Sequence, residues 1–183
     1  METLQCQVIT KKELIRTPIF SVEEKMVENS QGKILKRLVV QKKAAVVLIP
    51  MMPNGDVLFV KQWRAGTEEV MQELPAGVID VGETPFQAAQ RELREETGYR
   101  SEKLTLLGSS YSSPGFCNEL FYFYLAEMLC EDPLPADEDE ELNLLNLTLQ
   151  EALRHPMVCR DAKSWLGLLA AEQHFRQSAK RES

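Results

Sequence analysis

The sequence predicts an α/β (α+β) sandwich, a mixed sheet with helices packed on its faces. Three observations predict it. Strand-like segments dominate the 183 residues, one continuous apolar run (AAVVLIP, 44–50) has the texture of a strand covered on both faces, and only two long stretches carry a helical apolar stripe.

In chain order, residues 5–41 alternate loosely around one clear turn, Asn29-Ser30-Gln31-Gly32, and read as two or three antiparallel strands. AAVVLIP and DVLFVKQW (56–63) flank the turn Pro53-Asn54-Gly55-Asp56, so 44–63 reads as a hairpin. Thr84 to Thr97 is the best-marked helix. Thr84 caps it, Pro85 suits its first position, Gln87 completes a capping box and Gly98 stops it. Phe86, Ala89 and Leu93 are its expected buried face. Strands at 104–111, 119–129 and 142–149 follow, with an acidic loop at 131–141. From Asp161 to about Gln177 a second amphipathic helix is expected to turn Trp165, Leu168, Leu169 and Phe175 inward. The expected division is an N-terminal strand segment, 1–42, and a main domain, 43–183.

Composition narrows the function. With 21 basic and 28 acidic residues the formal charge is −7, which weighs against a nucleic-acid partner. No apolar run is long enough to span a membrane, and the N-terminus lacks the pattern of a signal peptide. Cys6, Cys117, Cys130 and Cys159 have no metal-ligand spacing and read as reduced thiols of a cytoplasmic protein. His155 and His174 are the only histidines, too few and too poorly spaced for a His-based zinc site. An enzyme of this composition works with carboxylates, and carboxylates favour a hard cation such as Mg²⁺ or Mn²⁺.

The segment GVIDVGETPFQAAQRELREETGY (77–99) concentrates that chemistry. Glu92, Glu95 and Glu96 are spaced to share one side of the helix, at the border of its apolar stripe. Their mutual repulsion costs a few tenths of a kcal/mol per pair, roughly, and Arg91 can relieve it by pairing with Glu95. Such a face is either a solvated charged surface or a seat for divalent cations. Glycines at 77, 82 and 98, where tight turns are needed, favour the second.

Gly77, Glu83, Arg91, Glu92, Leu93, Glu95, Glu96, Gly98 and Tyr99 fit G-x₅-E-x₇-R-E-U-x-E-E-x-G-U, with an aromatic residue at the last position. This resembles the signature box of the Nudix hydrolases. The resemblance implies the Nudix α/β/α sandwich and metal-dependent hydrolysis of a nucleoside diphosphate linked to another moiety. It implies that Glu92, Glu95 and Glu96 ligate Mg²⁺ or Mn²⁺, with Arg91, Glu83 and Gly77 supporting them.

The likeness extends past the box. Gln62-Trp63-Arg64 and Glu73-Leu74-Pro75-Ala76-Gly77 resemble segments of the ADP-ribose and nucleoside-diphosphate-sugar pyrophosphatase branch. There the alanine matching Ala76 gives its carbonyl to a metal, and a residue like Arg64, beside Trp63, contacts substrate. YSSPGFCNE (111–119) resembles that branch's substrate loop, which makes Pro114, Gly115 and Glu119 candidate contacts. Pro114-Gly115 is also a turn in its own right. ADEDEEL (136–142) resembles the segment that supplies the catalytic base: Glu138 best matches the base and Glu140 a further metal ligand. Five consecutive acids allow other registers, including Glu141, and Glu95 is the base if the loop acids play no part. The N-terminal strands resemble those that form a homodimer in this branch, with Lys42-Lys43 where a His-Pro pair is common.

The expected reaction is cleavage of the pyrophosphate of ADP-ribose, or of a related nucleoside diphosphate sugar, to a nucleoside monophosphate and a sugar phosphate. Two alternatives remain open. One is a Nudix hydrolase for a dinucleoside polyphosphate, an oxidised nucleotide or capped RNA. The other is a non-catalytic module that senses ADP-ribose, against which the complete box argues.

Overall fold

The computed structural model describes residues 5–135 and 141–181. The chain divides into two compact units: residues 1–44 with 111–120, and residues 45–110 with 121–183. In this division residues 111–120 join the N-terminal strands, which local sequence texture does not signal.

The first unit is an antiparallel meander of β1 (Gln7–Arg16), β2 (Ser21–Glu28) and β3 (Ile34–Gln41). The turn between β2 and β3 is the expected one. Asn29 Oδ1 accepts from the N–H of Gln31 at 3.0 Å and of Lys33 at 2.9 Å. Residues 111–120 are tied on by the Lys42 N–H, which donates to Asn118 Oδ1 at 2.8 Å, and by the Lys42–Glu119 ion pair.

The second unit holds two sheets. One has the order β7 (Ala76–Val78), β4 (Ala45–Pro50), β9 (Leu120–Glu131), β8 (Tyr99–Tyr111), with β4 parallel to β9 and antiparallel to β7. The other is β10 (Asn143–Thr148), β5 (Asp56–Arg64), β6 (Glu69–Glu73), antiparallel throughout. Among the described residues it also carries the α-helices α1 (Pro85–Thr97), the short α2 (Leu149–Ala152) and α3 (Ala162–Arg181).

Strand β4 shows why its sequence is uniformly apolar. Val46 and Leu48 pack with Ala88, Ala89 and Leu93 of α1, while Val47 and Ile49 pack with Phe59, Leu125 and Leu168. Both faces are covered, so neither set of alternate residues can be polar. That is the helix–sheet–helix layering predicted from the sequence.

Three expectations need correction. Residues 44–63 are not a hairpin. The turn forms, and Met51 bridges Val57, but β4 then spends both its edges on β7 and β9, and β5 pairs with β6 and β10. Phe86 is 51% exposed, because the buried stripe of α1 runs through Ala88, Ala89, Glu92 and Leu93 and leaves the first turn on its flank. On α3 the buried stripe is Ser164, Leu168 and Ala171, with Phe175 packed at its end. Trp165 and Leu169, one position on, are turned outward. No helix among the described residues is long and apolar enough to cross a membrane.

Candidate active site

The site is assembled around the second half of α1 and the loop before the helix. Thr84 caps the helix by accepting from the Gln87 N–H at 3.3 Å, and the Gln87 side chain accepts from the Thr84 N–H at 2.9 Å. Gly98 ends it in the left-handed region (φ 78°), its N–H donating to Arg94 O at 3.1 Å. These local signals fix where the helix begins and ends.

Arg91 is the hub. Its Nε and Nη2 donate to the two oxygens of Glu83 at 3.0 and 2.9 Å, Nη2 also reaches Val78 O at 2.9 Å, and Nη1 donates to Glu92 at 2.6 Å and Glu95 at 2.9 Å. One guanidinium thus holds three carboxylates and ties the helix to β7 and the loop before it. The Glu83 hydrogen bonds, foremost, and then those of Glu92 and Glu95 outweigh desolvation and raise the Arg91 pKa further, so it stays a cation. The same bonds hold the Glu83 carboxyl below its ordinary range.

Backbone of β7 receives the glutamates. Glu96 accepts from the Ala76 N–H at 3.0 Å. Glu92, only 8% exposed, lies over Gly77 so closely that a Cβ there would stand 1.9 Å from its carboxyl carbon. Gly77 is therefore required for close approach and not for turn geometry.

The donors suit a hard cation. Glu92, Glu95 and Glu96 offer only oxygen, and Nη1 of Arg91 already sits between Glu92 and Glu95 as a shared positive charge. Among the described residues no three acidic, histidine or cysteine side chains form a ready-made cage. The carboxylates are gathered here by Arg91.

Seven of the expected residues are thus brought together: Ala76, Gly77, Glu83, Arg91, Glu92, Glu95 and Glu96. Trp63 and Arg64 lie at the end of β5 in the same unit, Trp63 exposed. Pro114, Gly115 and Glu119 belong to the other unit. Glu138 and Glu140 fall outside the described residues.

Glu73 is a residue that sequence reasoning left without a role. It is 3% exposed, receives Nε and Nη2 of Arg64 at 2.8 and 2.9 Å, and is also paired with Lys163. Burial alone pushes its carboxyl up. The hydrogen bonds and charges of Arg64 and Lys163 override it and hold the pKa at about 2, against an ordinary 4.5. The available signal was an acid set directly before the apolar Leu74-Pro75 pair, at a position that burial makes expensive to leave unpaired.

Comparison with known proteins bears on this arrangement. The family model of the NUDIX domain matches residues 41–166. The ADP-ribose pyrophosphatase of Bacillus subtilis (strain 168) is 36% identical over 156 residues, covering 84% of each chain. The methanol dehydrogenase activator of Bacillus methanolicus is 40% identical over 131 residues, covering 70% of this chain and 71% of that one. A crystal structure of an ADP compounds hydrolase superposes with a TM-score of 0.84 at 24% identity, covering 97% of this chain and 98% of the other, which shows the fold. The box geometry, the family match and the related sequences agree: the chain belongs to the Nudix hydrolase family.

Proposed function

We propose that the protein hydrolyses the pyrophosphate bond of ADP-ribose, or of a related nucleoside diphosphate sugar, with Mg²⁺ or Mn²⁺ as cofactor. One observation carries the reading: a single arginine gathers Glu83, Glu92 and Glu95 beside the Ala76–Gly77 backbone, which also receives Glu96. The names of related sequences support the substrate class, ADP-ribose in Bacillus subtilis and GDP-mannose in Yersinia pestis.

In this reading Glu92, Glu95 and Glu96, with the Ala76 carbonyl and Glu140, hold the cation. A divalent cation there offsets the negative charge of the pyrophosphate and makes water easier to deprotonate. Arg91 and Glu83 fix the orientation of the carboxylates. Glu138 takes the proton from the attacking water. Arg64 offsets charge on the phosphates, Trp63 offers an aromatic face beside it, and the loop with Pro114, Gly115 and Glu119 contributes to substrate contact. The products are AMP and ribose 5-phosphate.

The test is hydrolysis of ADP-ribose, ADP-glucose, GDP-mannose, UDP-glucose and a dinucleoside polyphosphate, with each metal and with excess chelator. Cleavage of the sugars that is lost in chelator and restored by metal is expected. Full activity in chelator refutes the carboxylate–metal reading, and preference for the polyphosphate refutes the substrate class.

The first unit exposes Val8, Ile9, Leu14, Ile15, Ile34 and Leu38. Apolar exposure of this kind favours a homodimer that covers the N-terminal strands. Sedimentation is expected to give a dimer, and a monomer at high micromolar concentration refutes it.

A further inference from the structure

The first residues of α3 carry charge into the interior beside Glu73, at the end of β6. Lys163 Nζ pairs with Glu73 and lies 2.9 Å from Asp161 Oδ2. Asp161 in turn caps α3, accepting from the Ser164 N–H at 3.1 Å and from the Ser164 hydroxyl. The hydroxyl oxygen of Ser164 accepts from the Leu74 N–H at 2.6 Å, on the residue after Glu73. An ordered series of alternating charges results: Arg64, Glu73, Lys163, Asp161. Side-chain exposure along it is 38%, 4%, 14% and 17%, so the arginine is the most exposed of the four and the rest are largely enclosed.

We propose that Lys163 is a positioning residue for substrate phosphate, acting through Glu73 on Arg64. The inference rests on the reading of Arg64 as a phosphate contact. Two effects combine. Glu73 bonds both Arg64 and Lys163, so Lys163 and Asp161 fix the carboxylate and thereby the plane of the guanidinium. The four formal charges also cancel. Removing Lys163 alone leaves the cluster at one net negative charge, and Glu73 then draws on Arg64 undivided. A pyrophosphate approaching Arg64 meets net repulsion in place of a neutral, oriented donor.

A mere staple of α3 to β6 predicts something different: lost stability with unchanged substrate affinity. Ser164 supplies the comparison. It is buried in the same turn, and Ser164→Ala removes hydrogen bonds without altering charge.

The experiment measures KM and kcat for ADP-ribose, together with thermal unfolding, in the wild type, Lys163→Met, Lys163→Arg and Ser164→Ala. Lys163→Met is expected to raise KM about tenfold with kcat within about threefold. Lys163→Arg should recover most of the affinity, and Ser164→Ala should lower the melting temperature with KM unchanged. If Lys163→Met does not fold, Lys163→Gln is measured in its place, with the same expected rise. A wild-type KM in the charge-removed variant overturns the inference and leaves the hydrolase reading intact. A wild type that hydrolyses none of the nucleotide sugars overturns the substrate reading, and this one with it.

Discussion

Replacing Gly77 with alanine separates function from stability in a way the structure makes quantitative. The added Cβ would lie 1.9 Å from the carboxyl carbon of Glu92 and 2.1 Å from both its oxygens. Ordinary contact between carbons is ~3.5 Å, so the carboxylate must retreat by about 1.6 Å. The clash is with the end of a flexible side chain, so the fold can yield. The loss is the 2.6 Å ion pair to Arg91 and some packing, roughly 1–2 kcal/mol, or about 2–8 °C in melting temperature for a chain of this size. Catalysis is less forgiving. Misplacing a reacting or ligating group by ~1 Å can cost ~100-fold, so kcat for ADP-ribose should fall by at least that factor and saturate at higher Mg²⁺. The assay is turnover against Mg²⁺ concentration, alongside thermal unfolding of the same preparations. A Gly77→Ala protein with wild-type turnover and metal response would show that Glu92 is not needed where it sits, and the ligand assignment would fall.

Glu73 should dominate a pH effect on stability. Its folded pKa is depressed to about 2 from 4.5, so its contribution is complete above about pH 4.5 and is lost as pH falls from there towards 2. It amounts to roughly 3 kcal/mol. The stability difference between wild type and Glu73→Gln, followed by denaturant unfolding, should therefore shrink over that window. A difference that stays constant from pH 6 to pH 2.5 contradicts the buried ion-pair assignment. In the acidic loop, Glu138→Gln should lower kcat about 10²–10⁴-fold with the metal requirement unchanged, whereas Glu96→Gln should weaken both together. A silent Glu138→Gln beside a dead Glu140→Gln or Glu141→Gln moves the base within the loop, and silence from all three moves it to Glu95.

The box helix was legible because each of its determinants is local. Thr84 and Gln87 cap one another across three residues, Gly98 closes the helix, and Arg91 meets Glu95 one turn on. The spacing of Glu92, Glu95 and Glu96 then follows from helix geometry alone. The double burial of β4 was legible for a similar reason, since a strand with no polar alternation has no face to give to water. Helix orientation was only half legible. Periodicity marked α3 and turned Leu168 and Phe175 inward, but it added Trp165 and Leu169, which fit an apolar face as well as Ser164 and Ala171 do until the neighbouring sheet chooses.

What local pattern cannot carry is pairing at a distance. The turn at 53–56 suggested a hairpin, yet β4 found its partners in β7 and β9, from outside that segment. Lys163 meets Glu73 across 90 residues. Nothing near either residue announces the other, because an ion pair leaves no periodic trace in the chain. Local pattern was therefore enough to read an oxygen-rich helix face, the caps of that helix and the family. Which of those charges are buried, and what holds them, follows from packing between remote segments. Burial of Glu92 over Gly77, and of Glu73 between Arg64 and Lys163, depends on where remote segments pack, and a carboxylate enters the interior only where such packing brings it a partner.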